Sequence, residues 1–158
     1  MTTPTTVARD VTVPVGQHRA FEVFTRRLGD FKPPEHNLLS VPIASTTLDP
    51  RVGGTITDTG VDGSTCSWAR ILVWEPPQRL VFSWDIGPTW QVETDPARTS
   101  EVEVRFDAID DHRTRVTIDH RHLDRHGPGW EGVAGGIAAD EGWPLYLDRF
   151  AQLLTRES

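Results

Sequence analysis

The side chains best suited to chemistry are concentrated in one short segment, His120-Arg-His-Leu-Asp-Arg-His126. His120 and His122 are two residues apart and would share one face of a strand. Together with Asp124 or His126 they could bind zinc, which takes imidazole and carboxylate ligands. No distant further ligand stands out in the remaining sequence, and we therefore predict that the protein needs no metal and no other cofactor.

His120 is the best candidate for a catalytic residue. It continues the alternation of Val116 and Ile118, so we expect its side chain to face the protein interior. A buried imidazole must be hydrogen-bonded, because an unsatisfied polar group costs about 1–3 kcal/mol. Two interpretations stay open. His120 is held in a structural role by a neighbouring side chain or water, or it meets the polar end of a ligand as an orienting donor or general acid/base.

Other reactive residue types lack the context that catalysis requires. Glu101 and Glu103 alternate with apolar residues, so we expect this carboxylate pair on a solvated face of a strand. Cys66 has no evident histidine partner to activate a thiol. Arg51-Val-Gly-Gly lacks the lysine and the full glycine pattern of a phosphate-binding loop, and a bulge or tight bend explains it better. The sequence therefore shows no complete catalytic constellation.

These side chains need a sheet to position them, and its predicted centre is the segment Trp68–Trp84. Two runs, Ile71–Trp74 and Leu80–Trp84, are rich in β-branched and aromatic residues and predict neighbouring antiparallel strands. Glu75-Pro76-Pro77-Gln78 lies between them, and its prolines cannot donate hydrogen bonds within a sheet, so it forms the connection. Every second residue of the later run points to one face, which is apolar throughout.

The segments before this centre have the patterns of short strands and one helix. Period-two valines predict a strand over Val7–Val13, and apolar residues at helical spacing predict a helix from Ala20 to Leu28. We expect Gly29 to end that helix in the left-handed conformation. A weak strand over Leu38–Leu48 and another over Thr55–Thr59 follow.

The segments after the centre are a hairpin and a helix. Apolar residues alternate over Val102–Ala108 and again over Val116–His122, which is typical of two antiparallel strands with one buried face. An apolar stripe at helical spacing predicts a helix over residues 143–154, which Pro144 kinks or begins. The order of strand, helix, about six strands and C-terminal helix indicates an α+β fold with an antiparallel sheet.

Composition limits the functions that the chain can have. Its 158 residues fit one domain, and the 37% hydrophobic and 25% charged shares are ordinary. The formal net charge of -7 argues against nucleic-acid or anionic-membrane binding, which needs a basic surface. With no apolar run of about 18 residues, one cysteine and no signal-peptide pattern, we predict a cytoplasmic protein without membrane insertion. We expect residues 1–6 to be a disordered leader before a single domain over 7–156.

Five segments, taken in order, resemble the helix-grip superfamily, also called START-like, Bet v 1-like or SRPBCC. They are R-V-G-G at 51–54, the run W-A-R-I-L-V-W-E-P-P-Q-R-L-V-F-S-W at 68–84, V-E-V-R-F at 102–106, T-R-V-T-I-D-H at 114–120 and G-W-P-L-Y-L at 142–147. Within that superfamily the chain is similar to the Hsp90-ATPase-activator-homologue-like (AHSA1-like) domains. The resemblance implies a curved antiparallel sheet of about six or seven strands around a long C-terminal helix, with a short helical segment after the first strand.

The resemblance also implies a hydrophobic cavity between the sheet and the C-terminal helix. We predict that it binds an apolar or aromatic small molecule, and six Trp against one Tyr suit such walls. Two alternatives stay open: a polyketide cyclase/dehydratase-like enzyme using the same cavity, and a chaperone-interacting domain. The sequence leaves a homodimer open as well. The predicted cavity residues are Phe24, Trp68, Phe82, Trp84, Phe106, Ile118, His120, Trp143 and Leu147.

Overall fold

Alternating apolar and polar residues produce seven strands. The computed structural model describes residues 4–157. Its strands are β1 (Val7–Val13), β2 (Ile43–Leu48), β3 (Thr55–Gly60), β4 (Thr65–Glu75), β5 (Arg79–Trp84), β6 (Ser100–Asp110) and β7 (Arg113–Arg121). Their order in the sheet is β1-β7-β6-β5-β4-β3-β2, and every neighbouring pair is antiparallel.

The sheet curls because its ladders are irregular at several points. Register shifts occur between Ile43 and Ser45, between Ile56 and Thr57 and between Ile71 and Val73, and β6 and β7 shift once more near their turn. Each extra residue bends its strand and increases the local twist. The result is the strongly curved antiparallel sheet that the sequence predicts, with β5 as its middle strand.

Four helices pack on the concave side or at its rim: α1 (Gln17–Arg26), α2 (Leu28–Phe31), α3 (Trp130–Ala138) and α4 (Trp143–Glu157). Short 3₁₀ helices cover Pro96–Arg98 and Leu123–His126. The helix α4 contacts β1 and α2 and buries an apolar stripe that includes Leu147, Phe150 and Leu154. A long helix across a curled antiparallel sheet is the predicted helix-grip architecture, which is therefore confirmed.

The expected end of the first helix at Gly29 is wrong. The helix α1 ends at Arg26, because Arg27 leaves helical geometry (φ −124°, ψ 31°), and the chain resumes as α2. Gly29 lies inside α2, where a Cβ atom would stand 3.2 Å from the backbone nitrogen of Thr46. This glycine permits close approach of a helix to β2 and does not form a left-handed cap.

The strand expected over Leu38–Leu48 is shorter, because its first part is a loop. The Asn37 side chain donates to the carbonyl of Val41 at 2.8 Å and accepts from the amide of Leu39 at 2.8 Å. These bonds occupy backbone groups that a ladder would use, and Pro42 supplies no donor, so β2 begins at Ile43.

Two further predictions concern the leader over residues 1–6 and the single domain over residues 7–156. Residues 1–3 of the expected leader lie outside the described residues, and the carbonyl of Thr5 accepts from the amide of Leu123 at 3.0 Å. The single domain over 7–156 stays a prediction. Among residues 4–157, the helices are too short or too polar to cross a membrane.

Candidate functional site

A pocket of about 380 Å³ opens where the concave face of the sheet meets the corner between α3 and α4. Its apolar wall is aromatic: Trp68 comes from β4, Trp84 from the end of β5, and Trp143 and Tyr146 from the first turns of α4. Trp90, in the connection between β5 and β6, stands at the rim and is 67% exposed. Elements from both halves of the chain therefore build one wall.

The aromatic rings of this wall hold each other in place. The ring centroids of Trp68 and Trp84 are 5.5 Å apart, those of Trp84 and Trp143 are 5.4 Å apart, and both pairs are edge-to-face. Tyr146 follows at 4.9 Å from Trp143. Rings in such contact gain quadrupolar attraction beyond their buried area. The four rings therefore support one another as one continuous cluster.

Charged side chains form the opposite, polar end of the pocket. Lys32 Nζ lies 3.3 Å from an oxygen of Asp58 and donates to the carbonyl of His36 at 2.5 Å, while Thr46 donates to the other Asp58 oxygen at 2.6 Å. Lys32 and Asp58 are both buried. Burial lowers the pKa of the Lys32 ammonium, and the nearby Asp58 carboxylate opposes that effect. The lysine also stands over the Trp68 ring, 5.7 Å from its centroid.

A second polar pair lies beside the first. His36 Nδ1 and the Tyr146 hydroxyl are 3.0 Å apart. Burial lowers the pKa of His36, and the positive charge of Lys32 lowers it further. Burial also raises the pKa of the Tyr146 hydroxyl, so the phenol stays neutral. The pocket thus presents a neutral phenol and an imidazole next to a lysine with weakened affinity for its proton.

His120 lies behind the aromatic wall. It is fully buried, its Nδ1 accepts a hydrogen bond from Trp143 Nε1–H at 3.1 Å, and its Nε2 is 2.6 Å from Ser100 Oγ. Ser100 Oγ also lies 2.7 Å from Nε2 of His126. Burial lowers the pKa of His120 to about 3, and it lowers the pKa of His126 as well. Both imidazoles are therefore neutral near neutral pH.

The hydrogen bonds that link Trp143, His120, Ser100 and His126 determine which ring nitrogen of each histidine carries the proton. The indole Nε1–H of Trp143 is only a donor, so His120 carries its proton on Nε2 and donates to Ser100. The Ser100 hydroxyl then donates to Nε2 of His126, whose proton is left on Nδ1. That Nδ1 is buried and has no partner among the described residues. His120 thus accepts the hydrogen bond of an indole that lines the pocket.

The structure separates His122 and Glu103 from the roles expected of them. The strand β7 ends at Arg121, and His122 takes a left-handed backbone (φ 61°) and is exposed, so it does not share a face with His120. Glu103 is not solvated: it is 7% exposed beneath arginines, with Arg79 at 2.5 Å. Within the described residues, no His, Cys, Asp or Glu side chains are grouped as metal ligands would be.

Three of the nine side chains expected around the cavity line this pocket: Trp68, Trp84 and Trp143. His120 is one layer behind them, and five others pack elsewhere in the apolar core: Phe24, Phe82, Phe106, Ile118 and Leu147. These side chains line no open volume because aromatic rings fill the space below α4. The ring centroid of Phe24 is 5.6 Å from that of Phe106 and 5.3 Å from that of Phe150. The open volume is displaced toward the α3–α4 corner.

Sequence reasoning missed the polar lining residues Lys32, His36, Asp58 and Tyr146. One signal was available, because Asp58 shares its parity in β3 with the fully buried Ile56 and was thus placed inward. Tyr146 also belongs to the helical face that carries Trp143 and Phe150. No local pattern marks Lys32, which is brought to the pocket by the turn after α2.

Comparison with known families and structures adds to this geometry. A family model described as "Activator of Hsp90 ATPase homolog 1-like protein" matches residues 17–155. The chain belongs to this family. None of the curated proteins matches the chain at a significant level.

Solved structures similar to this member of the family share its full length. One is described as an anthrahydroquino-γ-pyrone synthase, Txn09, complexed with SUM; it is 37% identical, has a TM-score of 0.68, and the match covers 95% of this chain and 96% of that one. Another is CalC from Micromonospora echinospora, described as a self-sacrificing resistance protein, with 25% identity, a TM-score of 0.68 and coverage of 99% and 97%. Protein MLL2253 from Mesorhizobium loti, at 19% identity, a TM-score of 0.65 and coverage of 97% and 98%, shows the shared fold alone.

These likenesses confirm the resemblance to the helix-grip superfamily and to its Hsp90-ATPase-activator-homologue-like members. They indicate a ligand-binding domain in general terms. The fold hosts several activities, so the ligand and any reaction must be argued from the pocket itself.

Proposed function

We propose that the protein binds a flat, polycyclic aromatic molecule that carries oxygen substituents. The observation that carries this proposal is the aromatic wall of Trp68, Trp84 and Trp143, which faces a buried polar end with Lys32 and Asp58. Indoles provide broad apolar surfaces for fused rings, and the lysine ammonium donates to a carbonyl or phenolate oxygen.

The size and chemistry of the pocket support a small ligand of this kind. Ligand pockets hold about 300–1,000 Å³ and combine apolar walls with a few polar groups that fix orientation. The pocket, at about 380 Å³, is at the small end of that range and has this division. Lys32 and Asp58 lie together at one end, so an oxygen-bearing edge of the ligand is oriented toward Lys32.

The likeness to Txn09 supports the same ligand class. Its description names an anthrahydroquinone-derived γ-pyrone product, which is a fused aromatic system with several oxygens. The two chains are 37% identical over nearly their whole lengths. A related fused-ring ligand fits a pocket with indole walls and a polar end.

Titration with a hydroxyanthraquinone tests the proposal. Binding should quench indole emission, because three tryptophans form the pocket wall. Trp74→Phe provides a control, since Trp74 packs against Phe21 and does not line the pocket. Calorimetry should show the same stoichiometric binding in the wild type and in this variant. Failure of a panel of hydroxylated two- to four-ring aromatics to bind would overturn the proposal.

A second candidate is a cyclase that closes an oxygen ring on such a ligand. The observation that favours it is the buried Lys32, whose pKa is lowered by burial and which therefore exchanges its proton more readily than an exposed lysine. Addition of a phenolic hydroxyl to an alkynyl ketone forms one C–O bond and moves the phenolic proton to carbon, so the product is an isomer of the substrate. The Lys32–Asp58 pair would take up and return that proton.

The cyclase candidate is tested with an ortho-hydroxyaryl alkynyl ketone as substrate. In protein shown to be folded, Lys32→Met should abolish ring closure even at substrate concentrations that saturate the variant. Arg51→Met removes an exposed cation and should change neither ring closure nor binding. Turnover by Lys32→Met at the wild-type rate would exclude a role for the lysine. The dehydratase and chaperone-interacting alternatives, a homodimer and a cytoplasmic location stay predictions.

A further inference from the structure

A second, smaller pocket of about 150 Å³ adjoins the aromatic pocket. It lies between the connection after β5 and the helix α3. Four residues line both pockets and form the boundary between them: Trp84, Ile86, Trp90 and Ile137. The two spaces are therefore adjacent and share these four residues as a common apolar border.

The two pockets differ in polarity. The remaining lining residues of the small pocket are Gly87, Pro88, Gly132 and Val133, so all its described walls are apolar or glycine. The aromatic pocket carries Lys32 and Asp58 in addition to its indoles. A ligand spanning both spaces meets charged side chains at one end and no charged side chain at the other.

We propose that the small pocket is a subsite for an uncharged alkyl chain on the aromatic ligand. This proposal rests on the proposed function of the larger pocket. The ligand then has two parts. An oxygen-bearing ring system lies against Lys32, and a short hydrocarbon side chain lies between Pro88 and Val133.

The helix α3 borders both pockets. Gly132 lines the small pocket and Gly136 lines the aromatic pocket, four residues apart on one helical face. Both glycines are exposed, and a Cβ atom at either position would meet no atom of the described residues within 4 Å. A larger side chain at Gly132 is therefore not blocked by the protein core.

Trp90 adds a second argument. Its backbone is left-handed (φ 61°), a genuine outlier for a bulky residue, and its indole is 67% exposed. Its amide donates to the carbonyl of Gly87 at 3.0 Å and holds the turn in place. Strained residues of this kind cluster at ligand-binding sites. Trp90 lines both pockets, so its indole borders any ligand that spans them.

The test compares a hydroxyanthraquinone without a side chain with its ethyl and butyl derivatives, by calorimetry. Each methylene buried in the subsite should raise affinity roughly fourfold in the wild type. Gly132→Leu and, independently, Val133→Phe fill the small pocket, and should remove this gain while binding of the unsubstituted compound changes less than about twofold. Gly135→Leu is the matched control on the same helix, because Gly135 lines neither pocket, and it should keep the full gain.

The outcomes separate the two proposals. If the unsubstituted compound binds but the alkyl chain adds nothing, the subsite is wrong and the proposed function stands. The subsite is also wrong if both filling variants keep the full gain. If the wild type binds none of the three compounds, the proposed function fails and the subsite fails with it.

Discussion

Trp143 Nε1–H donates to His120 Nδ1 at 3.1 Å, so a pocket-lining indole is held by a fully buried imidazole. On the far side of that imidazole, Ser100 and His126 continue the series of hydrogen bonds. Because the proton positions follow from the donor-only indole, each bond has a defined direction. The arrangement argues for a structural role of His120, as a residue that positions Trp143.

His120→Leu should therefore destabilise the fold. Leucine leaves the Trp143 indole N–H without its acceptor, and a buried unsatisfied group costs about 1–3 kcal/mol. It also removes one hydrogen bond of the Ser100 hydroxyl, which keeps its bond to His126. We expect the free energy of unfolding to fall by about 2–4 kcal/mol in urea denaturation. His18→Leu, at an exposed position of α1, should change it by less than about 0.5 kcal/mol.

The same experiment distinguishes the two roles of His120. If His120→Leu is as stable as the wild type but loses hydroxyanthraquinone affinity, the imidazole contacts ligand and the structural role is wrong. If stability falls, the structural role stands, whether or not the displaced Trp143 ring also weakens binding in the folded fraction.

Stability should also fall on acidification. The pKa of His120 is about 3 in the fold against an ordinary value near 6.5, so between these values the unfolded chain binds a proton that the folded chain does not. Stability is therefore lost progressively as the pH falls below about 6.5, by about 1.4 kcal/mol per pH unit from this group. The lowered pKa values of His36 and His126 act in the same direction.

The measurement is the slope of unfolding free energy against pH between about 6 and 4.5. In His120→Gln the slope should correspond to about one proton fewer taken up on unfolding, whatever the absolute stability of the variant. An unchanged slope would show that His120 titrates in the fold much as in the unfolded chain.

The sequence was most informative where burial follows one period. Alternation over Val102–Ala108 and Val116–His120 predicts β6 and β7, and the stripe over 143–154 predicts α4, because each segment buries one face. The parity of His120 with Ile118 likewise agrees with its full burial. The hydrophobic periodicity alone is sufficient to predict such elements.

The polar end of the pocket depends on tertiary packing, which no local pattern contains. Lys32, Asp58 and Tyr146 come from three distant elements and meet only because the sheet curls and α4 crosses it. Composition also cannot separate an aromatic residue that fills a core from one that lines a pocket. Phe106 and Trp84 are both inward and buried, yet only Trp84 lines the open volume.

Lys32→Met should cost about 3–5 kcal/mol, because it leaves the Asp58 carboxylate buried without its ion partner. The double variant with Asp58→Leu should recover much of that loss, since no uncompensated charge remains. Denaturation of both single variants and the double variant measures the coupling. Arg51→Met, in an exposed pair with Asp49, should cost at most about 1 kcal/mol. A double variant less stable than Lys32→Met would contradict the argument.

Glu103→Ala should be more harmful than Glu101→Ala. Glu103 is nearly buried and accepts from Arg79 at 2.5 Å and from Arg105 at 3.0 Å. Its removal leaves Arg105 without this carboxylate and leaves Arg79 with Glu75. We expect a loss of about 1.5–3 kcal/mol, against at most about 1 kcal/mol for the more exposed Glu101. Thermal unfolding at low and high salt checks this, and equal effects of the two substitutions would show that Glu103 is solvated after all.

Gly142→Ala should destabilise the corner between α3 and α4. An added Cβ atom would stand 2.2 Å from the carbonyl oxygen of Ile137, a backbone atom that moves only if α3 moves. We expect the free energy of unfolding to fall by about 1–3 kcal/mol, and hydroxyanthraquinone binding to weaken because the next residue, Trp143, lines the pocket.

Gly135→Ala is the matched control: its Cβ meets nothing within 4 Å among the described residues, and alanine should stabilise α3 by about 0.5–1 kcal/mol. Stability from urea denaturation should change in opposite directions in the two variants, and a shared sign would show that the corner accommodates a side chain.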